Sequence, residues 1–200
     1  RSELDRKIIT KMYGILPGMT PRPLVGDQGE ATWKTKLYRE LDMGGSRNLW
    51  TRVDGKLWTP KEICGLDWPL DSTIPFAEVL AAMASKGFWP LYEGKHIEQF
   101  LLGLRPIERW VRLDALGSQP PRSATRRRTA FRRIGANTNE HTFISAVIPE
   151  NSFISDTLVA AESESLAADS LCTMFNSFAL DYALRMRGGV ARLVPISMAV

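Results

Sequence analysis

The six residues Phe143-Ile-Ser-Ala-Val-Ile148, closed by Pro149, constrain the fold more than any other part of this chain. A run that short is a strand length rather than a helix length. It also has no polar face to turn toward water, so it requires cover on both sides, and we expect a central buried strand. Pro149 ends it, because proline has no backbone donor for a ladder. Around it we expect further extended segments at Trp33–Leu41, Phe88–Tyr92 and Arg132–Ile134, with a weaker one at Phe153–Val159. Leu49–Val53 and Lys56–Trp58 flank Asp54-Gly55, a strong hairpin signal.

Helical periodicity supplies the other layer. Ser2 stands as an N-cap before Leu4, Ile8 and Met12 at spacing four, predicting a helix over 3–13. Thr73 is the expected cap of a second helix, with Pro75 in its first turn and Phe76, Val79, Leu80 and Met83 on its apolar face. Ser165 opens a predicted long helix whose Leu171, Phe175, Phe178 and Tyr182 share one face, ended by Gly188-Gly189. A short helical turn is expected at Lys95–Leu101, and Pro60–Ile74 reads as irregular. These elements predict an α+β fold, a mixed sheet with flanking helices. We expect residues 1–87 to form an N-terminal helix and hairpin extension, and residues 88–200 to form the domain it leads into.

Composition narrows the function classes. At 200 residues, with 44% hydrophobic and 24% charged, the chain suits one globular domain and not a disordered one. No apolar run approaches the roughly 20 residues of a membrane span. Arg1–Lys7 lacks the apolar centre of a signal peptide, so a cytoplasmic location is expected. Two cysteines, Cys64 and Cys172, make neither a disulfide framework nor a metal knuckle, and two histidines argue against a multi-histidine metal site. Cys172 reads as a core residue, and Cys64 as a loop thiol with no assigned role. No phosphate-binding loop, dinucleotide fingerprint or nucleophile elbow occurs. We therefore expect a binding module with no catalytic residue and no metal of its own.

The net charge is only +4, but it is unevenly placed. Arg105–Arg133 holds nine arginines against Glu108 and Asp114, a local excess of +7, which leaves about −3 for the rest. Arginine's planar fork suits phosphate oxygens and the guanine edge. The centre of the stretch, Gly117–Arg128, has almost no large apolar residue and reads as an exposed, mobile loop able to wrap a phosphate backbone.

Three ordered blocks then carry a resemblance. Phe88-Trp-Pro-Leu-Tyr-Glu-Gly-Lys-His-Ile-Glu-Gln-Phe100 resembles the Leu-Pro-Leu-Tyr-Glu-Ala/Gly-Lys-x-Ile-x-x-Phe block of type IIG restriction–modification enzymes and related N6-adenine DNA methyltransferases of phage-defence systems. Arg132-Arg-Ile-Gly-Ala-Asn-Thr-Asn-Glu-His-Thr142 is similar to that family's Arg-x-Ala-x-x-Thr-Asn-Glu-Arg-Thr, with His141 where arginine is usual. Asn176-Ser-Phe-Ala-Leu-Asp-Tyr-Ala-Leu-Arg185 looks like its Asn-Ser-Phe helix, and Leu4–Tyr13 is similar to the helix entering the region. The segment after Gly189 matches poorly.

The resemblance implies a target-recognition-domain-like fold and double-stranded DNA as partner. It also implies a methyltransferase core of the same polypeptide, which would bind S-adenosylmethionine while this portion binds no cofactor. Because the chain opens at Arg1 and contains neither core nor nuclease, we expect it to be a piece of such an enzyme. Its task would be to choose the sequence while the base is flipped into the core. Two alternatives remain. One is the recognition half of a type I-like specificity subunit, and the other is a non-catalytic interaction domain whose arginines meet an acidic partner.

Individual residues follow from both readings. Arg122, Arg126, Arg127 and Arg128 lie between the family-like blocks, where sequence choice should reside, and some would contact only phosphate. Arg132, Arg133, Asn137 and Asn139 belong to a shared block and suggest phosphate contact or turn structure. Lys95 or His96 is a phosphate candidate, with Tyr92 and Phe100 holding the turn; alternatively Tyr92, Ile97 and Phe100 simply pack the entry of the domain. His141 reads as a structural histidine. Asn176 and Ser177 read as polar breaks in a helix, bonded to a neighbouring element.

Overall fold

The computed structural model describes residues 3–15, 35–103, 105–135 and 140–187. Its fold is α+β, with two sheets and flanking helices. The first sheet has the order β1 (Thr35–Tyr38), β7 (Leu158–Ser163), β4 (Arg128–Arg132), β5 (Ser145–Ile148), with every neighbouring pair antiparallel. The second has the order β3 (Trp110–Arg112), β2 (Phe88–Tyr92), β6 (Phe153–Ile154); β2 runs antiparallel to β3 and parallel to β6. The helices are α1 (Glu3–Ile15), α2 (Pro60–Cys64), α3 (Phe76–Ser85), α4 (Ala168–Phe175) and α5 (Phe178–Arg187).

Period-two alternation explains how the strands are covered on both faces. Ala130 of β4 and Leu158 and Ala160 of β7 face one cluster with Val79 and Met83 of α3, Tyr92 of β2 and Trp110 of β3. Phe131 and Val159, next in sequence, face a second cluster with Phe143 and with Leu180 and Leu184 of α5. Burying a side chain such as Phe131 contributes about 2–3 kcal/mol. In β2, Phe88 and Tyr92 join the first cluster, while Leu91 packs with Leu49, Trp50, Val111, Ala124 and Phe153 in a third. β1 and α3, both before position 88, are thus built into the same core, β1 through the first sheet and α3 through Val79 and Met83.

Several expectations change. Phe153–Val159 is not one strand but two in different sheets, because the chain turns at Ser155–Thr157, where Leu158 N–H donates to the Ser155 carbonyl at 3.0 Å. The Asp54-Gly55 turn forms, with Gly55 at φ +80°, yet its arms pair only at Thr51 and Leu57. Residues 60–74 are not wholly irregular: Thr59 caps α2, its hydroxyl accepting the Glu62 N–H at 3.3 Å and donating to Glu62 Oε2 at 3.0 Å. This is a threonine N-cap with proline at the first helical position. Pro75, not Thr73, occupies the N-cap position of α3. On α1, Leu4 and Ile8 are left 65% and 38% exposed, and the helix meets α5 through Tyr182 Oη donating to Asp5 Oδ1 at 2.7 Å.

The predicted long C-terminal helix is two helices broken at Asn176-Ser177. The Ser177 hydroxyl accepts the Leu180 N–H at 3.3 Å and starts α5. The Asn176 carboxamide turns onto β5, accepting the Ser145 N–H at 3.0 Å and donating to the Ser145 carbonyl at 2.8 Å. The strand we expected at the centre of the sheet is in fact its edge. It stays buried because side chains take over the missing neighbour. Asp181 Oδ1 accepts the Thr142 and Phe143 N–H groups at 2.7 and 3.0 Å, just ahead of Ser145. The outer edge is thus sealed at Ser145, where another chain would otherwise find a free donor and acceptor.

Candidate nucleic-acid interface

β2 delivers the chain to Glu93, and the next three residues, Gly94–His96, make one 3-10 turn. The turn is closed by a reciprocal clasp: Glu93 N–H donates to His96 Nδ1 at 2.9 Å, and His96 N–H donates to the Glu93 carbonyl at 2.9 Å. His96 is fully buried, and burial holds its pKa below the usual value. That agrees with the unprotonated Nδ1 the clasp requires. Tyr92, beside it, has its phenol pushed up to about 12 by burial. The Glu93 carboxylate is held by Arg109 Nη1 at 2.6 Å.

This rigid turn presents Lys95 to a cleft of about 560 Å³, lined by Gly94, Lys95, Glu98, Arg105, Arg132, Ile134 and Thr157. Three cations and one carboxylate are among these residues. Arg132 donates to the Ile97 carbonyl and to Glu98 Oε1, both at 2.5 Å, so its guanidinium is pinned at the wall. Lys95 Nζ lies 2.8 Å from Glu108. Arg105 is exposed and has no ion pair among the described residues.

Folding redistributes the +7 stretch. Arg109 meets Glu93, Arg112 meets Asp114, Arg127 meets Asp169 at 3.0 Å, Arg128 meets Glu40, Arg132 meets Glu98 and Arg133 meets Asp156 at 3.4 Å. Five of these acids, Glu93, Asp169, Glu40, Glu98 and Asp156, come from outside residues 105–133. Arg105, Arg122 and Arg126 are the exposed arginines of the stretch without an ion pair among the described residues.

Arg128 requires a correction. We placed it at the end of an exposed loop; it is the first residue of β4 and its side chain is 0% exposed. Its Nη2 donates to Glu40 Oε2 at 2.8 Å and to the Ser152 carbonyl at 3.0 Å, so it cannot reach a ligand in this fold. The loop before it is also anchored. Ala124 is fully buried in the third cluster, and its N–H donates to the Pro121 carbonyl at 2.9 Å. Arg122 and Arg126 therefore project from a pinned turn.

Lys95 and Arg132 come together in the cleft, whereas Arg126 and Arg127 border a separate small recess of about 140 Å³ beside Glu162. Arg133 turns away, donating to the Asp156 carbonyl at 3.0 Å. Asn137 and Asn139 lie outside the described residues. Sequence reasoning underrated Arg105, which sits in the arginine stretch but apart from its dense run. His141 meets Phe178 in a tilted ring contact, with centroids 4.9 Å apart, and its Nδ1 lies 4.0 Å from Asp181. Among the described residues, no group of three or more His, Cys, Asp or Glu could hold a metal, and no helix is long and apolar enough to cross a membrane.

The three blocks that carry the resemblance meet around β5. Phe100 N–H donates to the Ser145 carbonyl at 2.9 Å, Asn176 bonds the same residue, and Arg132 N–H donates to the Ile144 carbonyl at 3.0 Å. Neither a family model nor a curated protein matches the chain.

Proposed function

We propose that this chain is the DNA-recognition portion of a larger S-adenosylmethionine-dependent N6-adenine DNA methyltransferase or type IIG restriction–modification enzyme. It docks on double-stranded DNA in the cytoplasm beside a methyltransferase core of the same polypeptide. The core supplies the methyl-transfer chemistry and binds the cofactor; no residue of this chain is assigned to either task. The observation that carries the reading is the cleft lined by Lys95, Arg105 and Arg132, in which Lys95 pairs with Glu108, Arg132 pairs with Glu98, and exposed Arg105 has no ion pair among the described residues. Two of its walls belong to the blocks that resemble the family. Exposed Arg122 and Arg126 add cationic reach, and buried Arg128 is no longer among the contacts.

Phosphate contacts by these groups release condensed counterions, so affinity for duplex DNA falls steeply with salt. Fluorescence anisotropy of a 30-base-pair duplex, titrated with the chain at several salt concentrations, tests this. Binding at low salt that weakens when Arg105 and Lys95 are replaced by alanine supports the reading. No binding at low salt overturns it.

A further inference from the structure

The segment after the Lys95 turn closes as a two-residue hairpin. Ile97 and Leu102 pair, Glu98 N–H donates to the Leu101 carbonyl at 2.9 Å, and Leu101 N–H donates back at 3.2 Å. Gln99 and Phe100 form its tip. Phe100 has φ +62°, the left-handed region, and apart from glycine only Asn151 shares a positive φ among the described residues. That turn position favours glycine or asparagine, and a bulky side chain there is a backbone outlier. Strain of this kind is tolerated in a core when packing compensates for it. Phe100 receives no such compensation, since it is 56% exposed, next to Leu101, also 56% exposed.

Neither backbone preference nor burial accounts for a phenyl ring at this tip. Its surroundings say what it could meet. The hairpin carries Glu98 of the cleft, Arg132 is tied to its Ile97 carbonyl, and the cleft's Ile134 is itself 57% exposed. An aromatic ring held on a rigid turn beside a cationic cleft suits a flat apolar partner joined to an anion, as a nucleobase is to its phosphate. We propose that Phe100 is a stacking contact, packing its ring on a base at an opened step of the bound duplex while the cleft holds the neighbouring phosphate. This inference rests on the DNA reading above.

The test uses the full 200-residue chain, a matched 30-base-pair duplex and the same duplex with one bulged adenine. Wild type should prefer the bulged duplex, because its unstacked base is already available. Phe100→Asn should weaken binding to the bulged duplex by about tenfold or more. It should leave the salt slope unchanged, because no charge is removed, and Phe100→Trp should keep the preference. Phe100→Asn should also melt at or above the wild-type temperature, since asparagine accepts the left-handed region. A melting point lower by several degrees would overturn the proposal by making Phe100 a structural residue. Unchanged DNA affinity in Phe100→Asn, while Arg105→Ala weakens it, would overturn the proposal and leave the DNA reading standing. Failure of the wild type to bind either duplex at low salt would remove both.

Discussion

The guanidinium of Arg128 and the carboxylate of Glu40 meet at 2.8 Å, 88 residues apart in the chain, with side chains 0% and 3% exposed. Glu40 Oε2 also accepts the Ile154 N–H at 2.8 Å, so this single pair ties the segment just after β1, the start of β4 and β6 together. It joins the two sheets at a point where neither charge has access to water.

Breaking that pair should be costly, because the remaining charge stays buried. Arg128→Ala is expected to lose about 3–5 kcal/mol of stability, read from the urea midpoint. The double substitution Arg128→Met with Glu40→Leu should recover much of the loss, since it removes both charges. A surface role for Arg128 would instead give a single variant as stable as wild type.

Asn176→Ala should cost about 1–3 kcal/mol, because the buried Ser145 N–H loses its partner and the Ser145 carbonyl keeps only the Phe100 N–H. Asn176→Asp should rescue poorly, since a carboxylate accepts the Ser145 N–H but cannot donate to its carbonyl. Hydrogen exchange at the Ser145 amide should rise in Asn176→Ala, where that N–H loses its acceptor, and unchanged protection there would count against the edge-sealing role.

His96 makes stability depend on pH with a definite sign. Its pKa is lowered by burial, with the Glu93 carboxylate opposing that shift. Above about pH 6.5 the residue is neutral whether folded or unfolded and contributes no pH dependence. As pH falls below that value, the unfolded chain takes up the proton first, and stability is lost at a rate of at most about 1.4 kcal/mol per pH unit. The loss levels off below the folded-state pKa. Urea midpoints between pH 7.5 and 5 should fall less steeply for His96→Gln than for wild type.

Arg122→Ala and Arg126→Ala should each weaken duplex binding and reduce the salt slope by about one. Arg127→Ala should have a smaller effect, because Asp169 shares its charge at 3.0 Å on an exposed surface. Equal slopes for wild type and all three variants in anisotropy titrations would exclude a phosphate contact by this turn.

Local signals determined much of this fold. The apolar run before Pro149 is a strand, Phe88–Tyr92 has the expected bounds, and Val79 and Met83 face the core from α3. Each depends on periodicity or on a residue's own backbone limits, which need no distant partner. The polar break expected at Asn176 was legible too, because two polar side chains interrupt an apolar face. What they bond to was not legible, since Ser145 lies 31 residues away.

Charge behaved differently. Nine arginines in one stretch read as a single cationic loop, but Coulomb attraction acts through space and not along the chain. Glu40, Glu93, Glu98, Asp156 and Asp169 are brought to those arginines only by the packing of strands and helices. The sequence by itself determined how much basic charge there is and which residues carry it. The tertiary structure decided which arginines of the 105–133 stretch have no ion pair among the described residues, Arg105, Arg122 and Arg126, because only folding sets the distance between an acid and a base far apart in the chain.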